Sequence, residues 1–252
     1  MPLTPFINQP FDAPVWRMEI DESTDTLFVE LRDTSNKQVS FAAIDLNTGN
    51  TNFKDLIMPE RWLSSIETAG NGVLLLHGYQ SESTPIHKGL TGVNSITGKV
   101  LWTDYNINFE LLNRQGIIVY DARIQPKKLY AIDTYTGQRK GAYEPADTGI
   151  DSSIAFPQVI QADDLPPGLS NLQPYGNVVH YLKHNNFRIV SLHALDGSHL
   201  TQHLYLFDRN NELIFDDIMN NDIQKLQPEA FISYKNKLIW LKNRSVVKVL
   251  NL

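Results

Sequence analysis

Three glutamates, Glu19, Glu67 and Glu110, fall on segments whose alternating apolar and polar residues read as the opening strands of successive small sheets. A pair of carboxylates is the usual apparatus for cleaving a sugar linkage, set about 5 Å apart for one stereochemical course and about 6.5–9.5 Å for the other. One acid on each innermost strand is the pattern that would supply such a pair. Acids on half-buried strands more often face solvent or pair with a neighbour, here Arg17 or Arg61. The second fate is favoured, and a hydrolase using Glu19, Glu67 and Glu110 stands as the alternative reading.

Five of the seven histidines lie between positions 180 and 203: His180, His184, His193, His199 and His203. His180 and His184 have the spacing of a helical zinc motif. On a strand, however, four residues span about 13 Å, whereas ligands of one ion each lie about 2 Å from it. No metal and no cofactor is therefore expected, and His193 is expected as a partly buried polar group on the second strand of its sheet. No Gly-x-Ser-x-Gly, phosphate loop, dinucleotide fingerprint or His-Glu-x-x-His occurs. The chain has no cysteine, which removes thiol nucleophiles, disulfides and thiolate metal sites together.

The elements that must position these residues are built on a repeated unit. It is clearest in Leu90-Thr-Gly-Val-Asn-Ser-Ile-Thr-Gly-Lys-Val-Leu-Trp-Thr-Asp104: a strand, a polar turn ending in Gly98, and a second strand closed by Trp102. Ala43–Phe53 and Ala131–Lys140 repeat it, and Leu204–Phe215 is a degenerate copy with Asn211 in the glycine slot. Asp45, Asn94 and Asp133 each stand four residues before a glycine, because an Asx side chain bonds the turn's backbone while glycine takes the positive φ that closes it. Phe53, Trp102 and Phe215 fall four residues after that slot, where a stacked sheet takes a large apolar knob. Trp16, Trp62, Trp102 and Trp240 are accordingly expected as packing residues between sheets. A recurrence of about 40–45 residues with short strands is that of propeller blades.

The Asp-x-x-Thr-Gly turn followed by an aromatic resembles the blade repeat of quinoprotein-like and WD-like β-propellers, and the whole is similar to small uncharacterised bacterial propeller families of unknown function. The resemblance implies a radial β fold and no particular activity. Quinoproteins proper carry a vicinal cysteine pair over their cofactor, so that cofactor is rejected here.

The expected fold is a single all-β domain over residues 1–252. It is a five-bladed β-propeller of four-stranded antiparallel blades, its last blade closed by an N-terminal strand within Pro5 to Pro10. Prolines are tolerable there, since an edge strand has one unpaired side. The stretch 146–175, with its prolines and the Asp163-Asp164 pair, breaks the period and reads as a long insertion between the third and fourth blades, either a partner-docking segment or a surface loop. Asn220 to Leu226 offers the one hint of a helical turn.

Net charge of −6 argues against a nucleic-acid partner. No apolar run is long enough to cross a membrane as a helix. With no cysteine and no secretory leader at Met1, a cytoplasmic location is expected. The preferred function is a non-enzymatic interaction or ligand-binding module for a protein or small polar ligand. Arg17, Glu19, Arg61, Glu67, Glu110, His180 and Lys183 would lie on the innermost strands near the central channel, with Asp163 and Asp164 as further contacts.

Overall fold

The computed structural model describes residues 3–145, 151–169, 172 and 174–252. The fold is all-β: five antiparallel sheets, the blades of a β-propeller fold, in four of which sequence neighbours pair as meanders. No helix is long and apolar enough to cross a membrane among the described residues. The chain opens with a short strand, β1 (Ile7–Pro10), and its contacts divide into two compact units, Ala13–Ser152 on the one hand and residues up to Asp12 with Ser153–Leu252 on the other.

The Ala13–Ser152 unit holds three four-stranded sheets. The first is β2 (Val15–Asp21), β3 (Thr26–Asp33), β4 (Gln38–Asp45) and β5 (Thr51–Leu56). The second is β6 (Ser64–Gly70), β7 (Val73–Ser81), β8 (Thr84–Asn94) and β9 (Val100–Asp104). The third is β10 (Ile107–Asn113), β11 (Gly116–Asp121), β12 (Leu129–Ile132) and β13 (Arg139–Ala142). Their central strands are buried on both faces and so read as continuous apolar runs, Leu27-Phe-Val29 and Val73-Leu-Leu-Leu76 among them.

The turn motif does two jobs. Asp133 Oδ1 accepts the backbone N–H groups of Tyr135 (3.0 Å) and Thr136 (2.8 Å), and Asn94 Oδ1 accepts those of Ile96 and Thr97 in the same way. Its glycine then serves as a floor for the aromatic of the preceding copy. A Cβ at Gly98 would lie 3.0 Å from the Phe53 ring, and one at Gly137 only 2.6 Å from Trp102. Trp102 also donates its indole N–H to Thr134 O at 2.9 Å. The repeat therefore encodes a joint between consecutive sheets, because only a residue without a side chain lets a ring lie flat on the backbone.

Two buried acids make the corresponding polar joint. Glu30, fully buried on β3, accepts from Arg32 Nε (2.7 Å), Ser65 Oγ (2.7 Å) and the Ile66 N–H (2.9 Å). Asp21 accepts from Ser23, Thr24 and the Gly72 N–H at 2.6 Å.

The second unit has two five-stranded sheets. One is β15 (Gln158–Gln161), β16 (Val178–His184), β17 (Phe187–Asp196), β18 (His199–Phe207) and β19 (Leu213–Ile223); the other runs β1, β22 (Val246–Asn251), β21 (Lys237–Lys242), β20 (Phe231–Tyr234) and β14 (Ile154–Ala155). The expected N-terminal closure is present, with Ile7 opposite Val249 and Pro10 opposite Val246. Trp240 is buried at the centre of this unit with the Phe215 ring 5.7 Å away, edge-on, and Asn211 holds the positive φ of the glycine slot.

Two expectations require correction. Blades four and five have five strands, because the stretch 146–175 contributes β14 and β15, which pair with β20 and β16. A 3-10 turn at Ala162–Asp164 follows, and Ala162, Leu165 and Leu169 bury their side chains against Val179, Val190, Leu192 and Phe207. Pairing satisfies two backbone edges that would otherwise stay open, so the described part is built into the fold. Residues 146–150, 170, 171 and 173 of that stretch lie outside the described residues. The second correction is the helical turn at Asn220–Leu226: β19 runs on to Ile223, with Asn220 opposite Gln202 and Ile223 opposite Leu200.

Candidate functional site

Within the Ala13–Ser152 unit, two β-bulges bring an acid and two imidazoles together. In the β6–β7 ladder Ile66 pairs with Leu76 and Thr68 with Leu75, leaving Glu67 as the extra residue. A bulge re-aims the side chain and leaves backbone groups unpaired. Arg17 from β2 takes them up, its Nη1 donating to Ile66 O (2.9 Å) and its Nη2 to Glu67 O (3.1 Å).

The second bulge lies in the β7–β8 ladder. His77 pairs with Leu90 and Gly78 with Lys88, so Gly89 is extra, and Tyr79 then faces His87. A one-residue slip moves side chains to the other face. Without Gly89 in its bulge, Lys88 would share the face of His77 and His87 would point away. Gly89 has φ +73, and a Cβ there would stand 3.0 Å from Tyr105 Cα and 3.2 Å from Asp104 O.

The result is a compact cluster. Glu67 Oε2 lies 2.9 Å from Nδ1 of His77 and 2.9 Å from Nδ1 of His87. The imidazoles stack at 3.6 Å between centroids with planes 9° apart, and the Tyr79 ring stands edge-on to both. His77 is 3% exposed; its Nδ1 has only the Glu67 carboxylate as an ion-pair partner, and its Nε2 has no hydrogen-bond partner among the described residues. The His87 side chain is 41% exposed. Burial pushes the Glu67 carboxyl up, but the two imidazoles more than reverse this and hold it below the ordinary glutamate range.

Glu19, on β2, completes the surroundings. It accepts from Arg17 Nη2 (3.3 Å) and Thr68 Oγ1 (3.3 Å). Burial raises its pKa; Arg17 and Thr68 oppose that, and the Glu67 charge adds to it, so the carboxyl stays above its usual value.

The other sequence-derived candidates lie elsewhere. Glu110, the extra residue of a bulge on β10, forms an ion pair with Lys127, whose ammonium sits over the Tyr120 ring. Arg61 was expected on an innermost strand; it lies in the exposed turn before β6 and bonds Gln38, because β6 begins only at Ser64. His180 and Lys183 lie on β16, which is the second strand of its sheet and not the first, because β15 pairs along its free edge. His180 is buried with Nε2 3.1 Å from Pro228 O, and burial lowers its pKa; Lys183 is exposed. Asp163 and Asp164 are exposed in the 3-10 turn, where Asp163 accepts from Asn177 Nδ2 at 3.3 Å.

His193 lies on β17, which is the third strand of its sheet and not the expected second because β15 is added beside β16, and it is buried, its Nε2 accepting the Gln227 N–H at 3.0 Å. His199 pairs with Asp222 and His203 with Thr201. Trp16 departs from its expected packing role. It is the extra residue of the β2 bulge, 62% exposed, with the Arg32 guanidinium over its ring at 5.3 Å and over that of Trp62 at 5.2 Å.

His77 and His87 were not singled out in the sequence. Gly78 to Gly89 reads there as a loop, whereas the strands continue to Ser81 and Thr84. The even spacing of Glu67, His77 and His87, ten residues each time, is the one trace available, and it carries no meaning until both bulges are known.

A family described as a domain of unknown function (DUF4905) matches residues 20–102, a span that includes Glu67, His77 and His87. No curated protein matches. Among solved structures, the chain is similar to BamB from Moraxella catarrhalis, with 11% identity and a TM-score of 0.36 over 99% of this chain and 100% of that one. It is also similar to the GH43 endo-arabinanase from Bacillus licheniformis, with 10% identity and a TM-score of 0.29 over 97% of this chain and 95% of the other. The Dos1 propeller aligns at 12% identity and a TM-score of 0.26, over 94% of this chain and 54% of its own.

Proposed function

We propose that this chain is a non-enzymatic binding module, and that Glu67, His77 and His87, braced by Arg17 and Glu19, hold its small polar ligand. One observation carries the reading: His77 is buried with an Nε2 that lacks a hydrogen-bond partner among the described residues, while its Nδ1 lies against a carboxylate whose backbone is fixed by a bulge and an arginine. A buried polar group left unsatisfied costs about 1–3 kcal/mol, which a ligand contacting it would recover. The test is thermal unfolding of the wild type and Glu67→Gln against a panel of small cations, amines and polar metabolites. A compound that raises the wild-type midpoint and leaves the variant unmoved supports the reading. A panel with no effect on the wild type, or with equal effects on both proteins, contradicts it.

A second reading has one observation in its favour. Glu19 is a carboxyl held above its ordinary pKa, mainly by burial, and a proton donor in sugar hydrolysis needs that property. In that case Glu19→Gln folds normally and loses the release of reducing ends from a polysaccharide panel. Activity retained in the variant, or absent from the wild type, removes this reading.

A further inference from the structure

We infer that Glu67, His77 and His87 bind one divalent transition-metal ion of the zinc class. The inference rests on the reading of this cluster as a ligand site and names the ligand. One potential ligand atom from each of the three residues lies within 4.8 Å of the other two, and Glu67 Oε2 is 2.9 Å from both Nδ1 atoms. Ligands about 2.0–2.1 Å from a tetrahedral ion stand about 3.3 Å apart. The separations bracket that spacing, and the widest of them, at up to 4.8 Å, has to close by about 1.5 Å to reach the spacing of a tetrahedral ion's ligands.

The rings supply the one larger movement required. An imidazole nitrogen offers its lone pair in the ring plane, and two rings stacked 9° from parallel cannot both aim at one point between them. His77 is fixed by burial and by the edge of Tyr79. His87 sits beyond the Gly89 bulge with its side chain partly in solvent, so it is the ring that turns. Two nitrogens and one carboxylate oxygen favour zinc-like ions over magnesium or calcium, which prefer all-oxygen sets. Three protein ligands leave a fourth position, on the exposed His87 side, for water or a ligand group.

The alternative is that the Glu67 carboxylate alone holds the two imidazoles and no ion binds, and spectroscopy separates the two. Tag-free chain stripped with a chelator is titrated with Co2+ and then with Zn2+. The expected result is one Co2+ per chain, a visible absorption band of tetrahedral intensity, and its loss on adding Zn2+. Replacing a partner outside the coordination sphere typically costs about 10–100-fold in metal affinity, so His87→Ala, which removes a ligand, should cost more than about 100-fold. Its circular dichroism and unfolding midpoint should stay unchanged, since His87 is partly exposed. His199→Ala removes the exposed His199–Asp222 pair and should leave the band intact. Absence of the band in the wild type, or its persistence in His87→Ala, overturns the inference. If no band forms but another compound binds in a Glu67-dependent way, the metal assignment alone falls; if nothing binds, both readings fall.

Discussion

Replacing Gly89 by alanine tests whether the bulge that presents His87 has to be glycine. At φ +73 an L-residue carries a penalty of about 1–2 kcal/mol. The new methyl group also meets Tyr105 Cα at 3.0 Å and Asp104 O at 3.2 Å. Both are backbone atoms that cannot rotate away, so overpacking adds about 1–3 kcal/mol. The expected loss is therefore about 2–5 kcal/mol, a large part of the roughly 5–15 kcal/mol available to a folded domain. Gly141 is the control, since a Cβ there meets nothing within 4 Å and its φ is not in the left-handed region. Gly141→Ala should stay within about 0.5 kcal/mol of wild type. Urea titration followed by tryptophan fluorescence measures both. Gly89→Ala with a midpoint equal to that of Gly141→Ala would refute the reasoning, because neither the backbone strain nor the contact could then be real.

Other residues give sharper tests of the joints. Glu30→Ala strips Arg32, Ser65 and Ile66 of a fully buried acceptor, and should cost about 3–5 kcal/mol in urea unfolding. Gly137→Ala and Gly72→Ala share left-handed strain, but only Gly137 lies under the Trp102 ring; its variant should be the less stable by at least about 1 kcal/mol in the same assay. Burial alone would raise the Asp217 pKa, but bonds from Lys242, Lys248 and Trp240 hold it below the ordinary 3.8. A depressed carboxylate contributes stability above its unfolded pKa and loses it as pH falls through the native one. Wild type should therefore lose stability below about pH 4 more steeply than Asp217→Asn, which starts about 3 kcal/mol less stable at neutral pH; urea midpoints across pH check this.

The architecture was legible where the pattern is periodic. The Asx-to-glycine turns and the aromatics that follow gave the sheets. The missing outer strand of the last sheet pointed to Pro5–Pro10, and Ile7–Pro10 fills it. What escaped was each place where period two is broken on purpose. Glu67 and Gly89 are extra residues in their ladders, so the continuous hairpin across 78–89 read as a loop and His87 was not placed on a strand at all. The segment after position 146 was misread for a related reason. Its strands are short and proline-flanked, and only the open edges of β16 and β20 make Gln158–Gln161 and Ile154–Ala155 extended. Of the site, Glu19, Arg17 and Glu67 were found from their place on first strands, while Arg61 and Glu110 shared that signal and serve local pairs.

Crystals of the chain grown with Zn2+ and measured on both sides of the zinc absorption edge test the central claim most directly. The expected result is one anomalous peak about 2.0–2.1 Å from Nδ1 of His77 and of His87, bonded also to Glu67, with the His87 ring turned out of its stack. A density map with no peak there, and the two imidazoles still parallel over the Glu67 carboxylate, would contradict it.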